Sequence, residues 1–240
     1  MKRPFVCVCL VIVALMQTVG HSQADEPGTL LFEDGFERAE SQETTDEIGN
    51  GWGSNSKTRA AGNKQVDLRD GAMYIYLHEA ADHAVSVTHP AEFRDGAVEL
   101  RFMLEHPDDS LGLNFADLQC KEVWAGHLFV AKVSTKQVEL TDLKTGNMNL
   151  KTRELRQTKQ ESPELKEKLK SKSQKIQHAL EAGKWYSLQV TVKDDTLSLA
   201  IDDKLISSFS SEGIAHPTKR MLRLSVPRNA VVDDVKAYSR

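Results

Sequence analysis

Apolar and polar residues alternate with a period of two through most of this sequence, which restricts the chain to structures built from strands with one buried face. The pattern is clearest between Trp185 and Phe209, where three alternating runs are separated by Asp194-Asp195 and Asp202-Asp203. Short polar turns at this spacing predict a β-meander of antiparallel strands, which is typical of all-β sandwiches.

Further runs of the same kind complete a set of about ten predicted strands. They lie at 71–78, 97–105, 111–115, 127–133, 137–143, 221–226 and 231–238. In the first run, the alternation predicts that Met73, Ile75 and Leu77 face the core. The fold class predicted is all-β, a two-sheet antiparallel jelly-roll β-sandwich that forms a single domain over residues 25–240.

The first 24 residues have the organisation of a secretory signal peptide. Lys2 and Arg3 precede an apolar run from Phe5 to Met16, which is shorter than the roughly 20 residues that a membrane-spanning helix needs. Small residues at Ser22 and Ala24 predict cleavage after Ala24 and a secreted or periplasmic protein. No later stretch is apolar enough to predict a membrane span.

Charge and cysteine content narrow the partners and the chemistry. With 31 Lys and Arg against 35 Asp and Glu, the formal net charge of −4 gives no global reason to expect nucleic acid. Cys7 and Cys9 lie in the predicted signal peptide, so the mature chain keeps Cys120 alone and forms no intramolecular disulfide. We expect Cys120 to be half-buried and unreactive. The sequence does not define the oligomeric state.

One segment departs from the strand pattern, a basic insertion predicted at 151–180. Between Lys151 and Lys175, basic residues outnumber acidic ones, and Ser162-Pro163-Glu164 reads as the start of a helix that runs to about Ser171. Such a charge run is typical of a solvated insertion between strands. The alternative is an arm that holds polyanionic glycans or cell-surface polymers electrostatically.

Four segments carry a family resemblance: Leu31–Arg38, Lys184–Val192, Leu197–Asp203 and Val231–Lys236. They resemble the concanavalin-A-like, laminin-G-like jelly-roll superfamily, and within it exported bacterial proteins related to the 3-keto-disaccharide hydrolase family. Asp203 stands where that pattern has Gly, so the turn must take a conformation that Asp tolerates. The resemblance implies a protein that cleaves or binds glycosides; the alternative is a non-catalytic carbohydrate-binding or cell-surface module of laminin-G type.

The sequence holds no close carboxylate pair of the Glu-x-Asp-x-(x)-Glu kind, which retaining glucanases use, and no zinc or nucleophile motif. Histidines at predicted strand ends and in a loop are therefore the candidate general bases: His83, His127 and His216. Each could instead simply cap its strand with hydrogen bonds. The candidate cations that would stabilise an enolate are Lys132, Lys219 and Arg220.

A sugar site also needs a flat ring for stacking and groups that hydrogen-bond hydroxyls. The loop from Gly49 to Arg59 offers Trp52 as a platform, with Asn50, Asn55 and Arg59 beside it, and Asn114 is a further candidate on a sheet face. The alternative for this loop is a surface loop pinned by a buried Trp52.

No cofactor is predicted. Calcium is a weaker alternative, because Asp-rich turns are common. Its candidate ligands are Asp34, Asp70, Asp233 and Asp234.

Overall fold

The fold is given by a computed structural model, and the structure describes residues 28–240. The predicted signal peptide lies outside these described residues. The strands are β1 Thr29–Asp34, β2 Gly53–Ser54, β3 Val66–Arg69, β4 Ala72–Tyr76, β5 Val85–Phe93, β6 Gly96–Met103, β7 Ser110–Ala116, β8 His127–Ser134, β9 Gln137–Asp142, β10 Ser173–Gln177, β11 Trp185–Lys193, β12 Thr196–Ile201, β13 Lys204–Ser210, β14 Lys219–Val226 and β15 Asn229–Ser239. The helices are α1 Ser56–Arg59, α2 Leu150–Gln157 and α3 Pro163–Lys170.

The strands form two antiparallel sheets, as predicted. Sheet A has the order β13-β12-β11-β6-β15-β4-β3, with β1 also paired to β15. Sheet B has the order β10-β9-β8-β7-β14-β5-β2. The last two strands of the chain therefore lie inside the sheets, β14 between β7 and β5, and β15 between β6 and β4.

The core lies between the sheets and consists of the inward residues of each alternating strand. Met73, Leu100, Leu113 and Val190 are all buried there, which confirms the period-two prediction. Leu77 was predicted to face the core and is instead 39% exposed, because β4 ends at Tyr76 and the chain then enters a loop.

The turn between β12 and β13 has a left-handed backbone, the conformation in which Asp203 can stand where the family pattern has Gly. Asp202 and Asp203 both have positive φ, 48° and 61°. Two consecutive left-handed residues match the right-handed twist of the flanking strands, and Asp tolerates this conformation better than most residues.

The basic segment is only partly helical. The predicted helix is present as α3, with Ser162 accepting a hydrogen bond from the Leu165 backbone N–H. Helix α2 and strand β10 were missed, and β10 pairs with β9 along its whole length. The expectation of an insertion out to residue 180 is therefore corrected: residues 173–177 belong to sheet B.

The strands within residues 28–240 outnumber the predicted ten, because β1, β2, β3, β5 and β10 lie outside those ten runs. Two of them, β2 and β3, carry too few residues for alternation to show. None of the helices among the described residues is long and apolar enough to cross a membrane.

Asp142, at the end of β9, fixes the loop that precedes β14. It is fully buried and accepts hydrogen bonds from the Gly213 N–H at 3.0 Å, the Ser211 hydroxyl at 2.6 Å and the Thr145 N–H at 3.0 Å. Buried carboxylates need such donors, so this contact ties the 211–216 loop to the edge of sheet B.

Candidate functional site

We infer a shallow trough on the outer face of sheet B along its central strand, β7, from the size of the side chains there. The β7 residues that alternate with the core are small and buried: Ser110, Gly112, Asn114 and Ala116. A methyl group at Gly112 would lie 3.4 Å from Val130 Cγ2 and 3.6 Å from Ser225 Cβ, so the flanking strands form the walls. We call this surface the sheet-B face; it is defined by the outward residues Asn114, Val130, Lys132, Arg223 and Ser225.

Three polar side chains converge at one end of the trough. His127 Nδ1 lies 3.1 Å from Asn114 Oδ1, and Arg223 Nη1 lies 3.2 Å from Nδ1 and 3.4 Å from Nε2 of the same imidazole. The tautomer that satisfies these contacts has a proton on Nδ1, which donates to Asn114, and leaves Nε2 as an acceptor. Arg223 also donates through Nη2 to the Ala125 carbonyl at 2.9 Å.

The electrostatics of this cluster keep the imidazole neutral. Burial, together with the smaller effects of the charges of Arg223, His83 and Arg153, lowers the pKa of His127 to about 4. Burial also lowers the pKa of Arg223, although a guanidinium stays charged in proteins. At neutral pH the cluster is therefore a neutral acceptor beside a fixed positive charge.

An exposed aromatic ring, which the sequence analysis missed, borders the same end of the sheet-B face. Trp124 lies in the loop between β7 and β8 and is 54% exposed, although the Arg153 guanidinium from α2 stands 4.8 Å from the centre of its ring. The next residue, Ala125, is the one that accepts from Arg223. The available signal was a Trp within a predicted loop between two strands, where exposed functional side chains gather.

Trp52 does not provide a platform, because it is only 8% exposed. Its Nε1 donates to Asp34 Oδ2 at 2.9 Å, and Arg38 forms two hydrogen bonds with the same carboxylate at 2.7 and 2.9 Å. Burial opposes ionisation of Asp34, but the bonds from Arg38, Phe36 and Trp52 outweigh it and lower the pKa of Asp34. The structure thus shows the alternative, a loop pinned by a buried Trp52.

The other three candidates of that loop also make structural contacts. The Asn50 side chain lies 3.4 Å from Asp34, and the Asn55 amide bonds the Ala84 carbonyl at 2.9 Å and the Ser86 N–H at 3.0 Å. Arg59 forms an exposed ion pair with Asp82 at 3.3 Å. None of these contacts brings the loop to His127.

Of the three candidate histidines, only His127 lies in the polar cluster of the sheet-B face. His83 is exposed and lies just before β5, with its Nδ1 2.9 Å from the Ala84 carbonyl. Its charge is one of those that lower the pKa of His127. His216 is bonded through Nε2 to the buried carboxylate of Asp117 at 3.1 Å, and its Nδ1 has no partner among the described residues. Asp117 also faces Arg220 Nε at 3.4 Å.

The candidate cations are placed very differently. Lys132 is exposed on the sheet-B face, opposite Gly112. Lys219 is fully buried and donates to the Arg94 carbonyl at 2.6 Å, so it cannot reach a substrate at the surface. Burial lowers the pKa of Lys219 to about 8. Arg220 forms ion pairs with Asp117 and Glu92.

The outer face of sheet A also carries polar grooves, but their groups largely satisfy one another. One groove of about 330 Å³ runs over β6, β11 and β15, where Gln189 donates to Glu99 at 2.8 Å and Arg101 pairs with Asp233 at 3.2 Å. Another, of about 570 Å³, lies beside the Asp34 cluster. The sheet-B face is therefore the better candidate site, since Arg223 there lacks such a partner.

No group of three or more acidic, histidine or cysteine side chains within residues 28–240 is arranged to hold a metal ion. Of the acidic residues considered for calcium, Asp34 is occupied by Arg38 and Trp52, and Asp233 by Arg101. Cys120 is a half-buried free thiol packed against the core, as predicted.

Neither a protein-family model nor a curated protein matches this chain. Its fold is nevertheless similar to many solved structures. The laminarinase from Rhodothermus marinus matches at 12% identity with a TM-score of 0.58, over 88% of this chain and 97% of that one. The laminarinase catalytic domain from Thermotoga maritima matches at 14% identity and a TM-score of 0.56, over 90% and 99%.

A carbohydrate-binding module from Bacillus subtilis, CBM66, matches at 12% identity with a TM-score of 0.51, over 80% of this chain and 94% of that one. At such low identities these similarities show the fold, a concanavalin-A-like jelly-roll sandwich, and nothing finer.

Proposed function

We propose that this protein binds carbohydrate on the sheet-B face. The single observation that carries this proposal is the exposed ring of Trp124 at the end of a trough where Asn114, His127 and Arg223 converge. A sugar ring has apolar C–H faces and hydroxyl edges, so it needs an aromatic surface next to donors and acceptors. The fold supports carbohydrate as the ligand class by analogy with the carbohydrate-binding module and the laminarinases.

Two tryptophan variants and a matched control test this site. A glycan array would first identify a ligand, and titration calorimetry would then compare the parent with Trp124→Ala. We expect a loss of about tenfold or more in affinity, equivalent to about 1.4 kcal/mol, because stacking of the sugar on the ring is removed. Trp124→Phe, which keeps an aromatic face, should recover part of the affinity.

The control is Tyr74→Ala on sheet A, where Arg69 stands 4.0 Å from the ring centre in a similar cation–π pair. This variant should bind as the parent does. Equal affinity of Trp124→Ala and the parent would overturn the proposed site, as would an equal loss in Tyr74→Ala.

A second candidate function is cleavage of a 3-keto-glycoside, favoured by the neutral imidazole of His127 beside the Arg223 guanidinium. In such a reaction His127 Nε2 would remove the proton from the carbon between the ketone and the anomeric carbon, and Arg223 would stabilise the enolate oxygen that forms. The enolate would then collapse with cleavage of the glycosidic bond, the departing alkoxide would take up a proton, and addition of water to the resulting unsaturated keto-sugar would give the free 3-keto-sugar. Release of the 3-keto-sugar from a 3-keto-glucoside by the parent, but not by His127→Gln, is the expected result. No release, with or without added divalent metal, would exclude this function and leave carbohydrate binding as the proposal.

A further inference from the structure

Arg223 is a half-buried cation without a carboxylate partner. Among residues 28–240, no ion pair joins its guanidinium to an acidic side chain, and its protein acceptors are the Ala125 carbonyl and the His127 imidazole. Burial is the cause that lowers its pKa, with no acidic neighbour to offset it. A guanidinium has five N–H donors in a fork that fits two oxygens of one anion, so several donors remain for a ligand.

Arg153 is a second cation without a carboxylate partner, and Arg101 on sheet A provides a direct comparison with it. Arg153 stands 4.8 Å from the ring centre of Trp124, and Arg101 stands 4.8 Å from that of Trp185 on sheet A. Arg101 is neutralised by Asp233 at 3.2 Å and Asp234 at 3.6 Å. In the described part of the chain Arg153 has no acidic partner within 4 Å. It also lines a hollow of about 280 Å³ next to α2, in which the carboxylate of Glu161 is paired with Arg156 at 3.1 Å.

Two acidic residues that adjoin the sheet-B face along the chain or in the strand register are paired with other side chains. Asp117 is buried against His216 and Arg220, and Glu139, which lies opposite Lys132 in the sheet, pairs with Lys175 at 3.4 Å. Burial is the main cause of the low pKa of His127, and the charges that add to the effect, those of Arg223, His83 and Arg153, are all positive.

We propose that the saccharide bound on the sheet-B face is anionic, with a carboxylate or sulfate group held by Arg223 and Arg153. This inference rests on the proposed carbohydrate site and specifies the chemistry of its ligand. Trp124 then stacks against the sugar ring while the anionic group reaches the guanidinium groups. Lys132, exposed farther along the trough, adds a positive charge for the neighbouring sugar unit of a longer chain.

The test compares three forms of one oligosaccharide in calorimetry: one that contains glucuronate, the same chain with its carboxylates reduced to alcohols, and the same reduced chain carrying a sulfate ester. We expect the parent protein to bind one of the two anionic forms at least about tenfold more tightly than the neutral form. The preferred anionic form distinguishes a carboxylate from a sulfate ligand. Raising the salt concentration from 50 to 300 mM should weaken this preference.

The variants are Arg223→Gln and Arg153→Gln, with Arg101→Gln as the matched control. Each of the first two should reduce the anionic preference severalfold or more, whereas Arg101→Gln should leave it unchanged. Since Arg153 lies on a surface helix, its variant reports on binding even where Arg223→Gln perturbs folding. Thermal unfolding of each variant checks its stability.

Equal binding of the neutral and anionic forms overturns this inference and leaves the carbohydrate proposal standing. An anionic preference that both variants retain in full also overturns it. Absence of binding to any form, combined with an empty glycan array, overturns the carbohydrate proposal itself.

Discussion

His127 provides a quantitative test of the sheet-B cluster through the pH dependence of stability. Its pKa falls from 6.5 to about 4 on folding, so the unfolded chain takes up a proton between these values and the folded protein does not. Stability is therefore lost as the pH falls. Relative to pH 7.5, this residue alone should lower the free energy of unfolding by about 2 kcal/mol at pH 5 and about 3 kcal/mol at pH 4.

The assay is urea unfolding of the parent and His127→Gln at several pH values from 7.5 to 4. The difference between the two free energies isolates His127 from the other titrating groups. In Arg223→Gln the free energy of unfolding should still fall with pH, but by less than in the parent. Burial, the largest cause of the pKa shift of His127, remains in this variant, whereas the Arg223 charge, the second cause, is removed. A parent-minus-His127→Gln difference that stays constant from pH 7.5 to 4 would refute this account of the cluster.

Three further predictions concern buried groups that stabilise or strain the fold outside the candidate site. Asp34→Ala should destabilise the protein by about 3–5 kcal/mol in urea unfolding, because it leaves the buried donors around Asp34 unpaired, whereas the exposed Asp108→Ala should cost under about 1 kcal/mol. The buried Lys219 has a pKa of about 8, so its charge destabilises the fold fully at pH 7; the free energy of unfolding of the parent, minus that of Lys219→Met, should rise by about 2 kcal/mol between pH 7 and 9.5. Gly213→Ala would place a methyl group 2.0 Å from Asp142 Oδ1, and a drop of several degrees in Tm is expected; an unchanged Tm would show that the loop adjusts at no cost.

The fold could be predicted from the sequence because its signals are local. Alternation within each strand placed Leu100, Leu113 and Val190 in the core, and the doublet Asp202-Asp203 marked a hairpin turn. The misses are short elements, such as β2 and β10. In a segment dominated by Lys, Glu and Gln, the strand Ser173–Gln177 has little apolar alternation to reveal it, and its pairing with β9 decides its conformation.

The candidate site was predictable only in part, because it depends on strand order. Asn114 and His127 were singled out individually, but their contact with Arg223 requires β14 to lie against β7, which no local pattern indicates. Trp52 was considered as a platform because it lies among glycines and amides. The sequence could not show that Asp34, 18 positions earlier, holds its indole N–H in the interior.

The positions of β14 and β15 have a consequence for how the molecule assembles. Strand β14 lies between β5 and β7, and β15 lies between β4 and β6, all of which are synthesised much earlier. Both sheets therefore remain split until residues 219–239 are synthesised. Such distant pairings are slow to form. A nascent chain that stops before residue 219 lacks Arg223 and leaves strand edges without hydrogen-bond partners in both layers. Completion of both sheets therefore waits for β14 and β15, and misassembly is favoured until they are in place.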